Sequence, residues 1–208
     1  MLWSTVSGAT QARASPTAHH PGGDAGSSPH SYLLGYHEHL HQADYLKKAN
    51  YPHVEKLTTR WHDNDVYGHI NNVAYYGFFD TAVNNYLIRS GVLDIHKGEM
   101  IGFVVDSGCS YKKPLEYPNE IDVGIRIGKI GKSSVRYQLG VFRAHTGAGK
   151  LTPEDAEELN KAAAIGHFVH VYVDRVTRRP QTLTEPMLKA LKHLVGKPLD
   201  GAAPKPSR

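Results

Sequence analysis

Residues 73–88, VAYYGFFDTAVNNYLI, constrain the chain more than any other stretch, because 12 of these 16 are apolar or glycine when tyrosine is counted as apolar. The polar exceptions, Asp80, Thr81, Asn84 and Asn85, fall at i, i+1, i+4 and i+5, a narrow stripe on an α-helix. A helix that is apolar nearly all round has to be enclosed by other structure. Asn71 and Asn72, both good N-cap residues, mark its start. Ser90-Gly91 marks its end, glycine being suited to the left-handed position that follows a helix.

Strand-like runs supply the enclosure. In VEKLTTRW (54–61), Leu57, Thr59 and Trp61 share one face of an expected first strand. Four more runs follow the helix: Phe103 to Tyr111, Ile121 to Ile130, Val135 to Phe142, and Ile165 to Val173. Ile121, Val123, Ile125 and Ile127 alternate with Asp122, Gly124, Arg126 and Gly128, so one face of this sheet is covered and the other is more polar. The Gly131-Lys132 step reads as a hairpin turn, hence antiparallel pairing. One long buried helix and one antiparallel sheet make an α+β fold.

The remainder is read as decoration on a single domain at 51–196. Residues 1–50 are rich in Gly, Pro, Ser and His and show no sustained periodicity, so they are expected to be mostly disordered, as is the tail at 197–208. His37, Glu38, His39 and His41 form a histidine-rich patch of the kind that usually has no dedicated metal. Thr152-Pro153-Glu154-Asp155 opens a short helix to about Ala164 inside an insertion at 144–164, placed on the sheet's edge, and Pro186 to Val195 forms a terminal helix.

Charge and cysteine content narrow the function classes. The net charge of +4 comes from the C-terminal end, where residues 165–208 carry eight basic and three acidic side chains. With no interleaved aromatic and basic motif, nucleic-acid binding is not expected. A single cysteine, Cys109, rules out an internal disulfide. No apolar run approaches the roughly 20 residues needed to cross a bilayer, and the N-terminus lacks a secretory apolar core. A cytoplasmic location away from membranes is expected. A mitochondrial address stays open because the first acidic residue is Asp24, although Arg13 is the only basic residue before it.

The densest polar cluster, His62, Asp63, Asp65, His69, Asn71 and Asn72, lies immediately before the buried helix. A helix N-terminus presents unpaired N–H groups that can polarise a carbonyl and stabilise an oxyanion. A carboxylate on the preceding loop can then attack that carbonyl or activate a water against it. An aspartate with the reference pKa of about 3.9 is a feeble base, so a nucleophilic route through an anhydride is as reasonable as general-base catalysis. Quieter roles compete: Asn71 or Asn72 capping the helix, Gly68 supplying a turn, Asp63 pairing with Arg60, and His69 orienting the loop.

The run RWHDNDVYGHINNVAYYGFFDTA (60–82) closely resembles the D-x-D-x-x-G-H-x-N-N-x-x-Y signature of the 4-hydroxybenzoyl-CoA thioesterase-like hotdog family, with Asp63, Asp65, Gly68, His69, Asn71, Asn72 and Tyr75 on signature positions. The resemblance extends over roughly 53–180. It implies a hotdog fold and hydrolysis of an acyl-CoA substrate, with Asp65 as catalytic carboxylate, His69 and Asn72 beside it, and Gly68 and Tyr75 against the substrate. It also implies no cofactor and no metal, and a homodimer or homotetramer whose sheets join edge to edge, with active sites between subunits. Coenzyme A carries phosphates, for which Arg175, Arg178 and Arg179, with Lys129 and Lys132 near the hairpin, are the candidate cations. The alternatives are a non-hydrolytic hotdog acyl-thioester-binding protein, a dehydratase, and a metal-dependent hydrolase using His62, Asp63, Asp65 and His69.

Overall fold

The computed structural model describes residues 43–147 and 150–196. The histidine-rich patch and the tail at 197–208 lie outside the described residues. Five strands, β1 (His53–Thr58), β2 (Met100–Tyr111), β3 (Glu120–Ile130), β4 (Ser134–Arg143) and β5 (Ala164–Asp174), form one sheet in the order β1-β3-β4-β5-β2. Every neighbouring pair is antiparallel. The long helix α1 (Ala74–Arg89) lies along one face, giving the hotdog arrangement.

Its apolar circumference explains the position of α1. Tyr75, Phe78, Phe79, Ala82, Val83, Tyr86 and Leu87 are buried, and they share one core with Ile121, Val123, Ile125, Tyr137, Leu139, Phe168 and Tyr172 of the sheet. Burying each large side chain contributes about 1.5–3 kcal/mol, so packing, more than helix propensity, holds α1 in place. Gly166 of β5 lets the helix come close, since a Cβ there would stand 2.5 Å from the Phe79 ring. The helix ends as its sequence indicates, with Ser90 as C-cap and Gly91 at φ +69°.

The more polar outer face is also covered, and by a segment assigned above to the disordered extension. Residues 43–50 form two 3-10 turns (Ala43–Leu46 and Lys48–Asn50) that carry Tyr45, Leu46 and then Tyr51 onto Phe142, Ala162 and Ile165. Tyr51 occupies a slot made by Gly124 and Gly140, which face each other in β3 and β4; a Cβ on either would stand less than 3 Å from its ring or hydroxyl. Gln138 Nε2 donates to the Tyr45 hydroxyl (2.9 Å), and Arg126 donates to the Asn50 carbonyl (3.0 Å). The packed domain therefore begins ahead of residue 51.

Three more expectations shift. β1 stops at Thr58, so Trp61, expected within this strand on the face of Leu57 and Thr59, lies beyond it and is 80% exposed. The insertion does not connect edge strands: β4 and β5, which it joins, are neighbours inside the sheet. Its helix, α2 (Pro153–Leu159), is capped by Thr152 as expected but ends before Asn160. The terminal helix α3 (Glu185–Lys192) buries Met187, Ala190 and Leu191, and the Tyr86 hydroxyl donates to the Ala190 carbonyl (2.7 Å). Among the described residues no helix is long and apolar enough to cross a membrane.

Candidate active site

Two aspartates shape the loop between β1 and α1 in different ways. Asp63 is buried; its carboxylate accepts from the Arg60 backbone N–H (2.7 Å) and from the Arg60 guanidinium (3.3 Å). That hook bends the chain into the 3-10 turn Trp61–Asp63, which is why β1 does not reach Trp61. The Asp63 carbonyl accepts from Asn71 N–H (2.7 Å), tying the two ends of the loop together. Asp63 thus has the structural role that its pairing with Arg60 suggested.

Asp65 starts a turn that closes on itself. Its N–H donates to the His69 carbonyl (2.8 Å), its carbonyl accepts from Gly68 N–H (3.2 Å), and its Oδ1 accepts from Tyr67 N–H (2.8 Å) and His69 N–H (3.3 Å). Gly68 sits at φ +84°, the left-handed region where glycine avoids strain. Ile70 is buried and its N–H donates to the Leu115 carbonyl (2.7 Å), while Asn64 Oδ1 accepts from Tyr117 N–H (3.0 Å). The loop is thereby clamped to the segment that follows β2.

The helix starts one residue later than expected, at Ala74. Asn71 supplies the cap-like contacts, its Oδ1 accepting from Val73 N–H (3.2 Å) and its carbonyl from Ala74 N–H (2.9 Å). Asn72 is not the cap. Its carbonyl accepts from the Tyr111 hydroxyl (2.9 Å), and the Tyr111 ring stands edge-on to Tyr75, with centroids 5.1 Å apart. Burial, with a smaller contribution from Cys109, pushes the Tyr75 phenol up to about 12, and burial pushes the Tyr111 phenol up as well. Both hydroxyls keep their protons at neutral pH.

These parts meet in a cleft of about 390 Å³ lined by Asp65, Ile70, Asn72, Tyr75, Tyr111, Lys112, Lys113 and Pro114. Asp65, Asn72 and Tyr75 are therefore brought together at the N-terminal end of α1. Gly68 stays exposed in its turn. His69 instead lines a neighbouring depression of about 240 Å³ with Lys113, Pro114, Glu116, Arg143, Glu158 and Lys161. Among the described residues no three His, Cys, Asp or Glu side chains are grouped so as to hold a metal ion.

The candidate phosphate cations lie elsewhere. Tyr111 pairs with Ala164 at the cleft end of β2, and Met100 pairs with Asp174 at the other end, roughly 35 Å away at the rise of a strand. Arg175, Arg178 and Arg179 follow Asp174, and the 129–132 hairpin is at that same far end. The Arg175 guanidinium is engaged with the carbonyls of Gly98, Asp94 and Ile95, and that of Arg178 lies 5.5 Å above the Phe103 ring. Within one chain none of these reaches the cleft. Sequence reasoning passed over Tyr111, Lys112 and Lys113; the signal available was Tyr-Lys-Lys-Pro closing a strand, two cations set at a strand end.

Comparison with known proteins agrees with this fold. The family model described as Thioesterase-like superfamily matches residues 59–191, from the start of the loop into α3. The PA5185 protein from Pseudomonas aeruginosa strain PAO1 is 45% identical, with 72% of this chain and 96% of that chain covered and a TM-score of 0.64. A thioesterase from Thermus thermophilus, solved in complex with coenzyme A and Zn, is 25% identical, with 72% of this chain and 98% of that chain covered and a TM-score of 0.55. YsmA of Bacillus subtilis (strain 168) is 23% identical over 88 residues, which is 42% of this chain and 59% of the length of that protein.

Proposed function

Since the chain belongs to the thioesterase-like superfamily, we propose that it hydrolyses an acyl-coenzyme A thioester, with the Asp65 carboxylate as the catalytic group. The observation that carries this reading is that Asp65 opens onto the same cleft as Asn72 and Tyr75 at the start of α1. A thioester carbonyl set against the first turn of α1 meets backbone N–H groups and the positive end of the helix dipole. The carboxylate then attacks the carbonyl carbon, the C–S bond breaks and the thiolate leaves to take up a proton; water opens the resulting anhydride and restores Asp65. In the alternative route the carboxylate takes a proton from a water as that water adds. The Thermus thermophilus relative solved with coenzyme A supports this ligand class.

A homodimer or homotetramer joined through β2 belongs to the same reading. Phe103, Val104 and Val105 on this edge strand are 43%, 46% and 59% exposed, and a long apolar edge of this kind invites pairing. A second copy joined antiparallel along β2 would bring its Met100 end, with Arg175, Arg178 and Arg179, toward the cleft end of this chain's β2.

Free-thiol release over a panel of acyl-CoAs tests the proposal. Asp65→Asn is expected to lower kcat by about 10²–10⁴-fold. Equal rates for the two proteins would sink the assignment, and a wild type that binds acyl-CoA without releasing thiol would be a binding module instead.

A further inference from the structure

We propose that the depression beside the cleft, built on Lys113, Arg143 and Lys161, receives the phosphate-bearing end of the coenzyme A arm, and that the insertion between β4 and β5 exists to complete it. This rests on the thioesterase reading and adds a binding site to it.

Cleft and depression are contiguous, since Lys113 and Pro114 line both. The three cations arrive from different elements: Lys113 from the segment after β2, Arg143 from the end of β4, and Lys161 from the stretch after α2. Lys112, on the cleft side, adds a fourth positive charge, and among the described residues no carboxylate lies within ion-pair distance of it. The backbone holds this arrangement firmly, because the N–H groups of Lys112 (2.7 Å) and Lys113 (3.0 Å) both donate to the Ala163 carbonyl.

Each cation of the depression has a carboxylate placeholder. Lys113 pairs with Glu158, Arg143 with Glu116 (3.5 Å), and Lys161 with Glu157 (2.7 Å). The six side chains are between 36% and 72% exposed, and exposed pairs of this kind are weak and exchangeable. A phosphate offers more acceptor oxygens and more charge than a single carboxylate, and its hydrogen bonds from Arg and Lys are charge-assisted. Binding therefore proceeds by exchange: the phosphate takes the cations and the glutamates swing into solvent. The far-end arginines offer no comparable arrangement in the same chain, Arg175 being engaged with three backbone carbonyls.

The test compares acyl-CoA with the matching acyl-pantetheine, which has the same thioester and no phosphate. The double variant Arg143→Ala/Lys161→Ala should raise the ratio of KM for acyl-CoA to KM for acyl-pantetheine about tenfold. Glu158→Gln, which releases Lys113, should lower that ratio several-fold. An unchanged ratio in both variants overturns the proposal, as does a ratio that moves with Arg178→Ala instead. If the wild type turns over neither substrate, the thioesterase reading fails by itself, and calorimetric titration with coenzyme A then decides the site. A Kd about tenfold weaker in the double variant supports it, and an unchanged Kd overturns it.

Discussion

Asp65 and Asp174 build nearly the same turn at opposite ends of the sheet. Asp65 N–H donates to the His69 carbonyl, and Asp174 N–H to the Arg179 carbonyl (3.0 Å); the Asp65 carbonyl accepts from Gly68, and the Asp174 carbonyl from Arg178 (2.9 Å). Each turn contains one left-handed residue, Gly68 or Arg178 at φ +60°. Each aspartate commits Oδ1 to the N–H groups that follow, Tyr67 and His69 in one case, Val176 and Thr177 in the other. The surroundings differ. Asp174 lies half-buried beside a hairpin end, whereas Asp65 opens onto a cleft at the start of a buried helix. A carboxylate that organises its own turn is thus a common local device, and what sets Asp65 apart is the helix N-terminus alongside it.

The largest expected break in this symmetry comes from Asp65→Ala. It should lose as much activity as Asp65→Asn, and in addition about 1 kcal/mol of stability, because alanine gives the Tyr67 and His69 N–H groups no acceptor while asparagine does. Equal melting temperatures for the two variants would show that the turn does not need that oxygen. Gly68→Ala meets no atom within 4 Å but forces a Cβ onto φ +84°, a cost of about 1 kcal/mol that should distort the turn and lower kcat about tenfold. Tyr111→Phe removes the donor to the Asn72 carbonyl and should lower kcat a few-fold, read in the same thiol assay.

The smallest effect is at Asp174. Its carboxyl is held below the ordinary range chiefly by the Thr177 N–H, so its contribution to stability is present above the unfolded-state pKa of about 3.9 and is lost as pH falls through the lower folded-state value. Asp174→Asn should therefore melt slightly below wild type at pH 7 and together with it at about pH 2, with thiol release unchanged. A gap that persists in acid would mean that the carboxylate charge is not the cause.

The helix and the sheet were legible because their signals are local. The 3.6-residue stripe on 73–88 and the alternation from Ile121 to Ile127 each fix a face within a dozen residues. What was missed depends on partners far away in the chain. Tyr45 and Tyr51 pack only because Gly124, Gly140 and Phe142 prepare the outer face, and nothing in PTAHHPGG or its neighbours announces this. The carbonyl partners of Arg175 at Asp94, Ile95 and Gly98, which engage it within its own chain, are likewise distant in sequence. Of the residues lining the cleft, Asp65, Asn72 and Tyr75 lie within one sequence signature, whereas Tyr111 and the two lysines come from a strand end that meets the loop only in three dimensions.

The shared Ala163 carbonyl beneath Lys112 and Lys113 has a metrical consequence. Two successive amides hung on one oxygen tie the wall between cleft and depression to the backbone just ahead of β5. If coenzyme A binds as proposed, the pair of recesses would work as a gauge, selecting a substrate by how far its charged end stands from its thioester before any atom of the acyl group is sensed.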